Sequence, residues 1–264
     1  MLRTRVISAI VLLAIVAIPL ILGGLPFFLL VAAIGLVASY EFVTLFRKGG
    51  HGPMLIVAGL LALAFIAQAQ WPALFPLAPL LTVAVVGSLL ASLWNKSPHP
   101  ASDWTLTLAG ALYVGWLLNH FVRLRAEDQG LYWLLLGAIA IWTADATAYF
   151  AGRAFGKHPW WPRHSPKKTW EGYLSGAAAA TVVTAILGVL LLQLSPLEGA
   201  ALGLLIGLFA PLGDLAESMI KREVGAKDSS NLIPGHGGFL DRIDSLLITI
   251  PIVFYWATVL PRWG

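Results

Sequence analysis

Apolar residues run along the chain in stretches of membrane-spanning length, separated by short polar clusters. The stretches fall near 6–22, 26–46, 54–70, 72–94, 106–122, 131–151, 173–194, 199–220 and 244–260. A helix needs about 20 mostly apolar residues to cross the hydrocarbon core of a bilayer. The pattern predicts an all-α fold, a polytopic integral membrane helix bundle of about nine transmembrane helices. Trp71-Pro72 leaves only a tight turn between the third and fourth runs. The first run follows Arg3 and Arg5, as a secretory signal would, but it is long for one. No Ala-x-Ala-like site follows it, so it reads as a retained first helix.

Composition agrees with the pattern. Hydrophobic residues make up 58% of the 264 and charged residues 11%, against about 25% charged in soluble domains. There is no cysteine, which removes disulfides, thiolate nucleophiles and thiolate metal sites. The net charge of +4 reads as basic cytoplasmic loops; no separate basic domain exists to grip nucleic acid. With the N-terminus in the cytoplasm, all 17 Lys and Arg except Arg123, Arg125 and Arg262 fall on the cytoplasmic side. That asymmetry supports both the orientation and the number of spans. The C-terminus then lies outside.

Two cytoplasmic segments are longer than the rest, Gly152 to Gly172 and Lys221 to Ile243. Long connections in compact proteins are commonly functional. There is no internal repeat of the transporter kind. The whole chain, 1–264, reads as one membrane domain. Residues 1–130 supply helices for lipid and dimer packing, and residues 131–264 carry the chemistry.

Carboxylates inside the spans sharpen this. A charged group at mid-membrane costs about 2.5–3.5 kcal/mol even on lenient scales, so Asp145 and Asp214 call for a bound ion or substrate. Glu217 has Lys221 one turn on, and an ordinary ion pair accounts for much of it. Asp214, Glu217 and Ser218 share one helical face, which Lys221 continues; Asp241 and Asp244 repeat the i, i+3 spacing at the start of the last span. Acids in a first turn also complement the helix dipole, but that role needs no second helix with the same arrangement. Two helices presenting paired acids at one membrane face suit a hard divalent cation such as Mg²⁺, with room for phosphate oxygens. No zinc-type ligand set is present.

Between these acids, Gly235-His236-Gly237-Gly238 can turn sharply and bring backbone N–H groups to an anion. Alone it is an ordinary glycine-rich turn. Lys221, Arg222, Lys227 and Arg242 surround it in sequence. In the other segment, Ser165-Pro-Lys-Lys resembles a helix start, and Glu171 falls at the cytoplasmic end of the next span. Adjacent Lys167 and Lys168 point different ways, one toward a nucleotide phosphate and the other toward a lipid head group; attraction to anionic lipid is the plainer reading. Trp160, Trp161 and Trp170 read as interfacial belt residues, and His158 and His164 as surface residues.

At these residues the chain resembles the phosphatidate cytidylyltransferase (CDP-diacylglycerol synthase) family. Its signature is met by Ser218, Ile220, Lys221-Arg222, Lys227-Asp228, Pro234, His236-Gly237-Gly238, Phe239, Asp241-Arg242 and Asp244. Asp145-Ala-Thr-Ala-Tyr149, Gly152-Arg153 and Ser165-Pro-Lys-Lys-Thr-Trp-Glu-Gly172 also look like family features. The first 130 residues match only in character.

The resemblance implies transfer of a cytidylyl group from CTP to phosphatidic acid, giving CDP-diacylglycerol and pyrophosphate in phospholipid biosynthesis. It implies Mg²⁺, with room for a second, monovalent cation, and a homodimer. It implies a bacterial inner-membrane enzyme whose active site faces the cytoplasm. On this reading Asp214, Asp241 and Asp244 hold the metal. Lys167, Lys168, Lys221, Arg222 and Lys227 neutralise phosphate, and Gly237 and Gly238 give backbone donors. Asp145, Ser165, Glu171, Ser218 and Arg242 line the substrate pocket, and Asp228 enters the catalytic set through the match. His236 acts as a general acid or, preferably, positions the loop. A CTP-dependent kinase of a lipid alcohol and a cation-coupled transporter are the competing readings. The Asp-Gly-x-x-Ala-Arg motif of CDP-alcohol phosphotransferases is absent.

Overall fold

The computed structural model describes residues 15–230, 232 and 237–259. The first expected span falls largely outside this range, as do Arg3, Arg5, Arg262 and the signature residues Pro234 and His236. Residues 15–22 are helical. After them come α1 Gly24–Lys48, α2 Leu55–Gln70, α3 Leu77–Ser92 and α4 Pro100–Ala126. α5 Gly130–Phe155, strands β1 Pro159–Trp161 and β2 Ser165–Thr169, α6 Trp170–Leu192, α7 Pro196–Glu223 and α8 Leu240–Thr258 complete the order. Helices α1, α4, α5, α6 and α7 are long and apolar enough to cross a membrane. The chain is a polytopic all-α membrane protein.

Element ends differ from the hydrophobic pattern where backbone chemistry intervenes. The run at 72–94 shortens to Leu77–Ser92 because Trp71 closes α2 and Pro76 is the N-cap of α3. Helix α4 begins at Pro100, six residues before the apolar run. Proline suits the first helical turn, where its missing N–H has no partner to lose. Ser165-Pro-Lys-Lys is not a helix start. It lies on β2, and the helix begins only after Thr169, whose Oγ1 accepts from Gly172 N at 3.3 Å. The hydroxyl at Thr169 is the effective N-cap.

The contacts divide the chain into two compact units, residues 1–126 with 223–242, and residues 127–222 with 243–264. In the first, Leu61, Phe65, Leu80, Ala84 and Ala111 form a buried core. A π-helical stretch, Ala111–Trp116, interrupts α4. Buried Asn119 donates to Phe65 O at 2.7 Å and to Gln68 Oε1 at 2.9 Å, and buried His120 meets Trp116 O at 2.9 Å. Buried Asp103 accepts from Gly52 N at 2.6 Å and so fastens the α1–α2 turn. Arg125 donates to Leu20 O and Ile21 O at 2.7 and 2.8 Å, capping the helix over residues 15–22.

In the second unit small residues set how closely helices approach. Gly199, Gly203 and Gly207 make a stripe at i, i+4, i+8 along α7, facing Ala177, Ala180, Thr181, Thr184 and Ala185 of α6. Without a hydrophobic driving force between helices in lipid, such contacts hold by close van der Waals packing. A Cβ at Gly207 would stand 2.6 Å from Ala177 Cα, and overpacking of this kind costs about 1–3 kcal/mol. Gly207→Val is expected to lower the thermal unfolding temperature of the detergent-solubilised protein by several degrees. Gly87→Ala, whose new Cβ meets only Val83 Cγ1 at 3.7 Å, is expected to leave it unchanged.

Candidate active site

Strand β2 pairs antiparallel with β1. On β2 Lys167 is exposed and Lys168 is half-buried. Lys168 Nζ lies 2.8 Å from Asp214 Oδ2, donates to Pro211 O at 3.2 Å, and stands 5.8 Å from the centre of the Trp160 ring. Trp160 is not an interfacial belt residue. It is buried and stacks on Tyr173 at 4.1 Å and 18°. Tyr173 Oη donates to Leu208 O at 3.1 Å. A proline inside a helix lacks its N–H and opens the preceding turn, and side-chain donors from the hairpin and α6 enter beside it.

Asp214 follows this opened turn. Its Oδ1 accepts from Ser218 Oγ at 3.3 Å, the i, i+4 contact that the spacing predicts. One residue before it, Gly213 lets α8 approach. A Cβ there would stand 2.8 Å from Asp244 O and 2.9 Å from Ser245 Cα. Asp244 Oδ1 accepts from Ser245 N at 2.6 Å. The Asp244 carboxylate interacts with Asp214, Glu217 and Lys221, and Asp145 on α5 feels the charges of Asp244, Lys168 and Asp214. Buried Lys221 Nζ lies 3.4 Å from buried Glu217 Oε2, the expected i, i+4 pair.

This unit therefore gathers Asp145, Asp214, Glu217 and Asp244 against Lys168 and Lys221. Among the described residues, four carboxyl groups here stand with two ammonium groups, and Asp244 shares a hydrogen bond with Glu217. Among the described residues, no three His, Cys, Asp or Glu side chains are placed to hold a metal ion. A hard cation that takes one or two carboxylates and completes its shell with phosphate oxygens and water nonetheless suits an all-oxygen donor set rich in carboxyl groups.

The signature segment is divided between the units: residues up to 222 and from 243 belong to the second, and 223–242 to the first. In the first, Asp241 Oδ2 accepts from Gly238 N at 2.8 Å, Ser229 N at 3.0 Å and Ser229 Oγ at 2.9 Å. Gly237 has φ +81°. A Cβ at Gly238 would run into Ser229 Oγ and stand 2.7 Å from Glu41 Oε1, so only glycine fits there. Lys227, Asp228 and Arg242 are exposed, as is Arg222 in the second unit. Ser165 is half-buried on β2. Glu171 sits in the first turn of α6, where its Oε1 lies 2.6 Å from His158 Nδ1 and its Oε2 accepts from His158 N at 3.3 Å.

One residue escapes the sequence reading. Glu41 on α1 is fully buried and accepts from Phe239 N, Leu240 N and Ser230 Oγ. The signal was a lone acid within an apolar run, the same cost that singled out Asp145.

Residues 3–260 match the family described as "Cytidylyltransferase family". The chain is 33% identical to a phosphatidate cytidylyltransferase of Bacillus subtilis over 96% of its own length and 94% of the relative's. It is 35% identical to one from Synechocystis sp., over 97% of this chain and 96% of that one. For one from Brucella abortus the figures are 36%, 98% and 94%. With a match over almost its entire length and relatives of nearly the same extent, the chain belongs to the cytidylyltransferase family.

Proposed function

We propose that the protein transfers a cytidylyl group from CTP to phosphatidic acid, releasing pyrophosphate and leaving CDP-diacylglycerol in the bilayer. The observation that carries this reading is the near full-length similarity to relatives named for phosphatidate cytidylyl transfer. A phosphate oxygen of the lipid attacks the α-phosphorus of CTP. The new P–O bond joins the two phosphates, and the α–β bridging bond breaks with its electron pair on pyrophosphate. The nucleophile is already anionic and needs no strong base. The obstacle is repulsion between anions, so the work is mostly positioning and charge stabilisation.

Lys168 is the cation nearest the Asp214 carboxylate and is assigned to substrate phosphate. Lys167, Lys221, Arg222 and Lys227 add positive charge around the two segments. Asp214 and Asp244 are the carboxylates assigned to Mg²⁺, with Asp241 as the third. The bound ion would offset phosphate charge and the charge developing on pyrophosphate. Asp241 also organises its own loop, and its carboxylate already takes the Gly238 N–H. Gly237 is therefore the preferred backbone donor to phosphate. Ser218 holds Asp214, and Asp145, Ser165, Glu171 and Arg242 complete the pocket. Asp228 stays in the catalytic set, and His236 is assigned to positioning.

The chain is assigned nine spans, a cytoplasmic N-terminus and a catalytic face toward the cytoplasm of a bacterial inner membrane. Helices α1, α5 and α7 each carry basic residues in their last turn, and on this topology all three end at the cytoplasmic face. Helices α2 and α3 have 16 residues each, about 24 Å at 1.5 Å per residue, and cross with help from their flanking turns. A homodimer and a second, monovalent cation complete the assignment.

Purified protein incubated with α-labelled CTP, phosphatidic acid and Mg²⁺ is expected to move label into the organic phase with equimolar pyrophosphate. Release of CDP with no label in lipid would instead mean a kinase, and ion flux in liposomes without turnover would mean a transporter. Asp214→Asn and Lys168→Met are each expected to lower kcat by about 10²-fold or more, as loss of one charge-stabilising group does; turnover within two-fold of wild type would refute the assignment of that residue. His236→Gln is expected to keep the wild-type shape of the pH–rate profile, because the leaving group needs little protonation. Loss of one limb of that profile would make His236 the general acid.

A further inference from the structure

We propose that Glu41, on a helix remote in sequence from the signature, is a positioning residue that holds the glycine loop and the start of α8 in their reactive shape. The proposal rests on the cytidylyl-transfer reading, for which this loop supplies Lys227, Asp228, Gly237 and Asp241.

Glu41 is 0% exposed, so it does not itself meet substrate. A carboxylate buried in an apolar helix needs strong partners, and among the described residues the partners of the Glu41 side chain come from the signature loop. Phe239 N lies 2.9 Å from Oε1 and Leu240 N 2.7 Å from Oε2. Ser230 Oγ lies 2.5 Å from Oε1 and Ser229 Oγ 3.4 Å from Oε2. The two amides are among the N–H groups that the start of α8 leaves without helical acceptors. An anion at that end also complements the helix dipole. Glu41 thus caps α8 in the manner of an N-cap, although it stands about 200 residues away in sequence.

The network continues from there. Ser229 Oγ lies between Glu41 and Asp241, and Asp241 takes the Gly238 N–H. Displacing Glu41 therefore moves the groups that shape Asp241 and its glycines, while the chain elsewhere is untouched. Phe239 N and Ser230 Oγ donate to Oε1 and Leu240 N to Oε2, so two acceptor oxygens are required. Glutamine would set its NH₂ against a backbone N–H or a hydroxyl.

The test uses full-length protein in liposomes. Without nucleotide or metal, Glu41→Gln is expected to speed amide exchange across residues 237–241 about 10-fold or more, with α5 and α6 protected as in wild type. In turnover, kcat is expected to fall about 10- to 100-fold, the usual effect of removing a partner that orients catalytic groups, with KM for phosphatidic acid unchanged. Ser230→Ala is expected to lower kcat by a smaller factor, Ser230→Thr to restore it, and Ser230→Ala to add nothing in the Glu41→Gln background.

Unchanged exchange, kcat within two-fold of wild type, or an additive Ser230→Ala effect would overturn the proposal. If Glu41→Gln does not insert or fold, the Ser230 pair decides: equal rates for Ala and Thr overturn it. Wild-type protein without cytidylyl transfer would refute the functional reading instead, and the exchange arm would still judge the role of Glu41 in the loop.

Discussion

Charge inside a low-dielectric bundle must be compensated where it stands, and the architecture follows from how this is done. A carboxylate among apolar helices cannot be left to water. Glu41, Asp103 and Glu217 are all fully buried. Glu41 and Asp103 are met by backbone N–H groups, and Glu217 by an ammonium group. The two backbone-met acids each fix a turn in place: Asp103 holds Gly52, and Glu41 holds the start of α8. Buried charge here specifies which loop meets which helix, a role that apolar packing fills poorly because it is non-directional.

The second unit treats its carboxylates differently. Asp145, Asp214 and Asp244 come from three helices: Lys168 pairs with Asp214 and acts on Asp145, and Lys221, tied to Glu217, acts on Asp244. Close packing brings these groups together. Gly213 brings the backbone of α8 against α7, and the glycine stripe seats α7 on α6. Small residues thus let close packing bring carboxyl groups from neighbouring helices together at one place.

Much of this was legible in sequence, for physical reasons. Hydrocarbon thickness imposes a length that every spanning helix must show, so the apolar runs mapped onto helices across the described residues. The i, i+4 contacts of Asp214 with Ser218 and of Glu217 with Lys221 followed from helical periodicity alone. What escaped depends on contacts far apart in the chain. Ser165-Pro-Lys-Lys carries the chemistry of a helix start, yet it pairs with Pro159–Trp161 as a strand, and five residues show too little alternation to announce it. Trp160 looked like a membrane-belt residue because its stacking partner, Tyr173, lies beyond the hairpin. Glu41 offered a cost with no visible compensation, since its partners lie near residue 240.

The π-helical stretch in α4 has a bearing on how this chain is compared with others. Such a stretch accommodates one extra residue without leaving the helix. Every position beyond Trp116 is therefore rotated by about 100° relative to an uninterrupted α-helix. Asn119 and His120, both buried, lie just beyond it. A relative shorter by one residue here, with an unbroken α-helix, would need no loop to absorb the deletion and would still turn the counterparts of Asn119 and His120 toward Phe65. Aligning the two without a gap would pair residues that stand about 100° apart around the same span.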